Sequence, residues 1–421
     1  MKIRIFCVLF WLISSANAQK LSLQTCQQQA QQNYPLIRQN DLLAKSTQLS
    51  IENLLKGYLP QLGIFGQATY QSDVTSLSLS LPIQGFKTPE AIAKDQYKVF
   101  GELNQVLYDG GAIRQQQKIQ KATLEIEQQK TVTELYKIRE RVNQFFFGIL
   151  LLDEQIALLE ITKKDLENNF KKTKAAVENG ASLKSNIDLL EAEILKVEQR
   201  GIELKASKKT FLDMLGYFIK QDLDQNTVLD KPQNLALGQE INRPELQLFN
   251  KQQSFLEAQN ALINVRNTPK LSFFVQAGYG RPALNMLKND FDSYYLGGFR
   301  LSWQFGGFYT LKNDRQIIVL QKQQIELQKQ TFLFNTNLAL RQQNNELQKI
   351  EDLLKSDQKL IELRAKIRTT AQAQMENGVI TTADYLRELN AEEQAKQNFI
   401  LHQIQFLMTQ YQAQFVAGNV D

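Results

Sequence analysis

Few residues in this 421-residue chain are suited to covalent or metal chemistry. His402 is its only histidine, and Cys7 and Cys26 are its only cysteines. A triad hydrolase needs a histidine base beside its nucleophile, and most zinc sites need several Cys or His ligands. The sequence contains no G-x-S-x-G, H-E-x-x-H or P-loop motif and no Cys–His cluster. We therefore expect no catalytic residues, no cofactor and no metal. What remains is turn and ion-pair chemistry. Glu178-Asn179-Gly180 and Glu376-Asn377-Gly378 have the composition of a left-handed turn that closes a helix. Asp384 and Arg387 lie three apart just beyond the second triplet, a spacing that supports a salt bridge along one helix face. His402 falls among Ile400, Ile404 and Leu407 and reads as a packing residue.

The elements around these residues are long helices. All eight prolines fall at positions 35, 60, 82, 89, 232, 244, 269 and 282, leaving two wide proline-free stretches. Proline breaks helix interiors, so its absence is informative. Leu135, Ile138, Val142, Phe145, Ile149, Leu152, Ile156 and Leu159 follow 3-4 spacing. Leu183, Ile187, Leu190, Ile194, Val197, Leu204, Phe211 and Leu215 do the same, with Gly201 and Lys208 as exceptions. Leu333, Leu340, Leu347, Leu354 and Ile361 recur every seven residues. Sustained heptads predict coiled-coil packing. We expect two hairpins, residues 111–178 with 182–220 and 308–376 with 380–415. A helix of about 68 residues is about 100 Å long, far beyond a usual globular helix. The 53 Gln residues, with Glu and Lys, fill the other helix faces. They fit either a solvated surface or the lining of a water-filled tube.

Four strand-like segments separate the helices. Leu62, Ile64, Gly66, Ala68 and Tyr70 alternate with polar residues, with Phe65 out of pattern. Leu271, Phe273, Val275, Ala277 and Tyr279 repeat the layout, with Phe274 out of pattern at the matching place. Residues 97–108 form a weaker strand, and Tyr295, Gly297, Phe299, Leu301, Trp303 and Phe305 mark one face of the fourth. Alternation over about ten residues fits a tilted membrane strand, or else a half-buried soluble sheet. Tyr70, Tyr279, Tyr294, Tyr295, Trp303 and Phe305 suit an interfacial girdle. Four strands are too few for a single-chain barrel, which starts at about eight. Open edges in lipid leave backbone groups unpaired, so the strands must be shared among identical subunits.

Two further features bound the reading. Lys2, Arg4, the apolar stretch 5–13 and Ala16-Asn17-Ala18 predict a secretory signal, cleaved after Ala18. No Cys stands at that site for lipid attachment. A net charge of +5 without a basic run gives no nucleic-acid signature. The chain also repeats itself. Asn33/Pro35, Pro60 and Gln67-Ala68-x-Tyr70 recur as Asn242/Pro244, Pro269 and Gln276-Ala277-x-Tyr279 at a common offset of 209. Gly110-Gly111 and Glu178-Asn179-Gly180 recur as Gly306-Gly307 and Glu376-Asn377-Gly378 at slightly smaller offsets. The expected division is a signal over 1–18, a first repeat over 19–220, a connector over 221–240 and a second repeat over 241–421.

The ordered series of N-x-P starts, proline strand entries, Gly-Gly strand exits and x-N-G turns resembles the TolC family of outer-membrane efflux proteins. The resemblance covers nearly all of the mature chain and rests on the order and duplication of these motifs. It implies an α+β membrane protein in which each duplicated unit joins long coiled-coil α-hairpins to amphipathic β-strands. It implies a homotrimer whose twelve-stranded β-barrel in outer-membrane lipid continues as an α-helical barrel through the periplasm. It implies a periplasmic adaptor and an inner-membrane transporter as partners, with nothing chemically converted. The hairpin tips, Glu178, Asn179, Gly180, Glu376, Asn377 and Gly378, would contact the adaptor. Asp384 matches a family gate carboxylate, whereas Arg387 stands where a second carboxylate is common, so an acidic ring would be blunted. The other reading of Asp384 is a residue that only caps its helix. The conduit is expected to export small molecules. Protein secretion of type I and a soluble periplasmic coiled-coil scaffold or adaptor are the other readings.

Overall fold

A computed structural model of the chain describes residues 21–76, 91–235, 238 and 240–419. The expected signal segment and prolines 82 and 89 lie outside these residues. In chain order the elements are α1 (Leu23–Asn33), α2 (Gln39–Leu55), β1 (Gln61–Tyr70), β2 (Asp95–Tyr108), α3 (Ala112–Glu178), α4 (Lys184–Ile219), α5 (Pro244–Val265), β3 (Lys270–Arg281), β4 (Asp292–Ser302), α6 (Gly307–Glu376) and α7 (Thr382–Ala417). The succession helix, strand, strand, very long helix, 36-residue helix thus occurs twice. The chain forms two compact units, each drawing on both halves of the sequence.

The unit made of Gln39–Lys130 and Glu245–Gln330 holds the sheet. Its order is β1-β2-β3-β4, antiparallel throughout. Register places Ile64 opposite Gly101, Gly101 opposite Ala277 and Ala277 opposite Tyr295. The predicted apolar residues within the strands therefore fall on one face, because side chains alternate with period two. Beside the sheet, Leu256 and Ile263 of α5 pack on Ile318 of α6.

The unit made of Met1–Arg38, Thr131–Pro244 and Thr331–Asp421 holds the hairpin ends. Its first core cluster joins Cys26 of α1, Val142, Phe146, Phe147 and Ile149 of α3, Leu212 and Leu215 of α4, and Ile404 and Leu407 of α7. A second joins Leu152, Leu159 and Leu166 of α3 to Leu190, Val197 and Leu204 of α4 and to Tyr385, Leu386 and Leu389 of α7. Val142, Ile149, Leu152, Leu159, Leu190, Val197, Leu204 and Leu215 are 3-4 spaced positions of the sequence, while Phe146, Phe147, Leu166, Leu212 and the α7 residues join them from outside that series. Each buried Leu contributes about 2 kcal/mol of transfer free energy.

One stripe residue departs from expectation. Leu183 is the N-cap of α4 and is exposed, because the helix begins one residue later than its periodicity suggests. Lys208 keeps its place in the stripe by bonding Asp153 Oδ1 at 2.6 Å and the Gln225 carbonyl at 2.7 Å. Burial of the Cys26 thiol pushes its pKa to about 12, so it is an inert packing group.

Candidate functional site: the hairpin ends and the sheet face

The two hairpin turns are built alike. Asn179 Nδ2 donates to the Ala175 carbonyl at 2.9 Å, and Asn377 Nδ2 to the Ala373 carbonyl at 2.8 Å. Gly180 N donates to Val177 O at 3.0 Å, and Gly378 N to Met375 O at 3.1 Å. Both glycines have positive φ, +74° and +72°, as the left-handed closure requires. Glu178, Asn179, Gly180, Glu376, Asn377 and Gly378 are all exposed. Glu376 Oε1 accepts from Lys172 Nζ at 3.0 Å, tying the end of α6 to α3. That hydrogen bond, with another from Gln372, holds the Glu376 carboxyl below its usual range.

Asp384 sits in a capping box. Thr381 is the N-cap of α7, and its Oγ1 accepts from Asp384 N at 3.1 Å. Asp384 Oδ2 in turn accepts from Thr381 N at 3.2 Å and from Thr381 Oγ1 at 2.6 Å. Arg387 closes an ion pair on Asp384 Oδ1. Both carboxylate oxygens are thus engaged. The Thr381 bonds first, and the Arg387 charge second, hold Asp384 below the ordinary carboxylate range.

A polar network deeper between the helices escaped the sequence reading. Tyr385, fully buried, accepts at its hydroxyl from Asn169 Nδ2 at 2.7 Å, joining α7 to α3. Arg368 Nε of α6 reaches Glu392 Oε2 of α7 at 2.7 Å, and Lys396 Nζ reaches Glu392 Oε1 at 2.6 Å. Arg364 pairs with Glu388 at 3.2 Å. Burial raises the Glu392 carboxyl, but Lys396 and Arg368 outweigh it and leave the group below its usual pKa. Only the Glu392–Lys396 spacing of four was readable in advance. His402, expected as a packing residue, pairs through Nδ1 with Asp357 Oδ2 at 2.5 Å.

On the sheet, the apolar face is exposed among the described residues. Ile64 is 82% exposed, Leu62 77%, Phe299 71% and Leu301 70%. The predicted girdle aromatics divide between its ends. Tyr70, Tyr279 and Tyr295 lie at one end, where Tyr279 and Tyr97 also stack on Phe291. Trp303 and Phe305 follow β4 at the other end, 4.9 Å apart, and Trp303 Nε1 donates to Asn267 O at 3.0 Å. Tyr295 to Trp303 spans about 27 Å of extended chain. The apolar band of a tilted membrane strand is about 25 Å tall.

The opposite face is polar. Gln276 Nε2 donates to Glu102 Oε2 at 2.6 Å, and Arg300 lies 3.7 Å from Glu102 Oε1. The two out-of-pattern aromatics find partners here. Phe65 stacks on Phe100 at 5.4 Å, and Phe274 lies 4.6 Å beneath the Arg300 guanidinium. Among the described residues no helix is long and apolar enough to cross a membrane, and no group of three or more His, Cys, Asp or Glu could hold a metal ion.

The family model described as outer membrane efflux protein matches residues 26–212. No curated protein matches the sequence. Solved structures share the fold, three of them as follows. The outer membrane protein VceC of Vibrio cholerae is 13% identical with a TM-score of 0.62, over 93% of this chain and 95% of that one. The CmeC outer membrane channel of Campylobacter jejuni is 13% identical with a TM-score of 0.61, over 94% and 85%. The open state of the MtrE outer membrane channel of Neisseria gonorrhoeae is 13% identical with a TM-score of 0.64, over 94% and 88%. The chain therefore matches the outer membrane efflux protein family across residues 26–212 and has, over nearly its whole length, the fold of outer-membrane channels.

Proposed function

We propose that the chain is one third of an exit duct through the outer membrane for an efflux system, a passive conduit in which nothing is chemically converted. The observation that carries this reading is the unfinished sheet. It presents an exposed apolar face between two aromatic rows, and among the described residues β1 and β4 each have one strand partner. Unpaired edges in lipid cost several kcal/mol per orphaned group. The strands alternate in direction, so β4 of one copy meets β1 of the next antiparallel, as membrane barrels require. Helices of the same unit support side-by-side copies. Leu42 and Leu49 of α2 and Leu320 and Leu327 of α6 are exposed at heptad spacing. Three copies complete twelve strands, the number the resemblance implies. The two halves read as repeats joined by the 221–240 connector.

In this reading the hairpin tips meet a periplasmic adaptor bound to an inner-membrane transporter, and small molecules are the cargo. Asp384 and Arg387 form the gate as a charge-compensated pair rather than a bare acidic ring. The purified protein reconstituted in planar bilayers tests the proposal. Discrete ion-conducting steps support a duct, whereas protein that never conducts and partitions into buffer after cell lysis contradicts it.

A further inference from the structure

Arg139 of α3 is placed unlike the other cations of its unit. It lines a cavity of about 260 Å³ walled by Leu23 and Gln27 of α1, Asn143 of α3, Asp230 of the connector, and Phe415 of α7. Its Nε and Nη1 are both buried, and neither has a hydrogen-bond partner. The Tyr136 ring lies 5.8 Å from the guanidinium carbon. A ring face attracts the cation but offers no acceptor in the guanidinium plane. Asp230, the one carboxylate among the described lining residues, is exposed and makes no ion pair with Arg139. Burial lowers the Arg139 pKa, yet a guanidinium does not deprotonate in a folded protein.

Arg139 as a residue is half-buried, but buried guanidinium donors without an acceptor are costly, and that cost is relieved when an anion meets them in hydrogen-bonding geometry. The wall around Arg139 favours such a ligand. Gln27 Nε2 donates to Asn143 Oδ1 at 2.6 Å, which leaves the Asn143 amide nitrogen as a further donor. Leu23 and Phe415 supply apolar surface beside these donors. The planar guanidinium matches carboxylate and phosphate oxygens better than a spherical halide. The volume equals about eight or nine water molecules at liquid density, room for a tetrahedral oxyanion or a short carboxylate.

We infer that this cavity is a binding site for a small oxyanion, inorganic phosphate or a short carboxylate, held by Arg139 and Asn143. The bound anion joins α1, the middle of α3, the connector and the end of α7 at one point. Thermal unfolding of the detergent-solubilised assembly tests this, in phosphate, in malonate, and in chloride at matched ionic strength. The expected result is a midpoint raised by several degrees over chloride, with the affinity weakened at least tenfold by Arg139→Gln. A response to phosphate alone assigns a phosphate site, and a response to malonate assigns a carboxylate site. No response, or equal responses in wild type and variant, overturns the inference. A cryo-electron microscopy map of the wild type in phosphate decides the matter without the variant. Density for an oxyanion within hydrogen-bonding distance of Arg139 supports the site. Water alone there, or an acidic side chain of this chain or a neighbouring copy, contradicts it.

Discussion

At the residue scale, Asp384 shows how one carboxylate can be fully engaged by local chemistry. Its oxygens serve the Thr381 cap and Arg387 at once. Removing the cap in Thr381→Ala should cost about 1 kcal/mol, read as a lower thermal midpoint. Arg387→Ala should free one oxygen of Asp384. We expect it to raise the cation preference of the reconstituted duct, measured as reversal potential in a salt gradient. An unchanged potential would remove Asp384 and Arg387 from the gate. The folded-state pKa of Asp384 lies below its unfolded value. Its stabilising contribution is therefore fully present above the unfolded carboxylate pKa and is lost as pH falls through the lowered one. Deeper in the unit, Glu392→Gln leaves Arg368 with a neutral partner and should cost about 3 kcal/mol.

At the scale of elements, the helices were legible because their signals are local. Proline-free stretches and 3-4 spacing fix where α3, α4, α6 and α7 run, and the Asn-Gly pairs fix where two of them end. The structure ends α3 at Glu178 and α6 at Glu376, the residues before those pairs. Leu183 was misplaced because periodicity does not register where a loop becomes a helix. The Asn169–Tyr385 and Arg368–Glu392 contacts were not legible, since partners on different helices share no spacing rule. The same holds for the Arg139 cavity, which four separate segments enclose. Phe65 and Phe274 looked like errors in the strand pattern, yet each serves the polar face through Phe100 and Arg300. A sharp test of α3 is Leu152→Pro. It deletes a helix hydrogen bond at a buried position, costing about 3 kcal/mol or more, and we expect no oligomer to survive extraction. At the turn, Gly378→Val forces a branched side chain into positive φ, at a cost of about 1–2 kcal/mol.

At the scale of the molecule, the proposed assembly follows from the sheet. A row of exposed Leu, Ile and Phe side chains has no partner among the described residues, and lipid is an environment in which such a face is stable. Replacing Phe299 with Lys should cost about 2–4 kcal/mol near the membrane midplane and reduce the amount recovered in the outer membrane, read by immunoblot of fractions. The same substitution at an exposed polar-face position such as Gln67 should leave recovery unchanged. The edges carry the larger consequence, because in the proposed duct β1 and β4 close against another copy. Native mass spectrometry of the detergent-extracted protein tests this most directly. The account predicts one dominant species of three chains after detergent is stripped. A single chain that stays dissolved in buffer without detergent would contradict it.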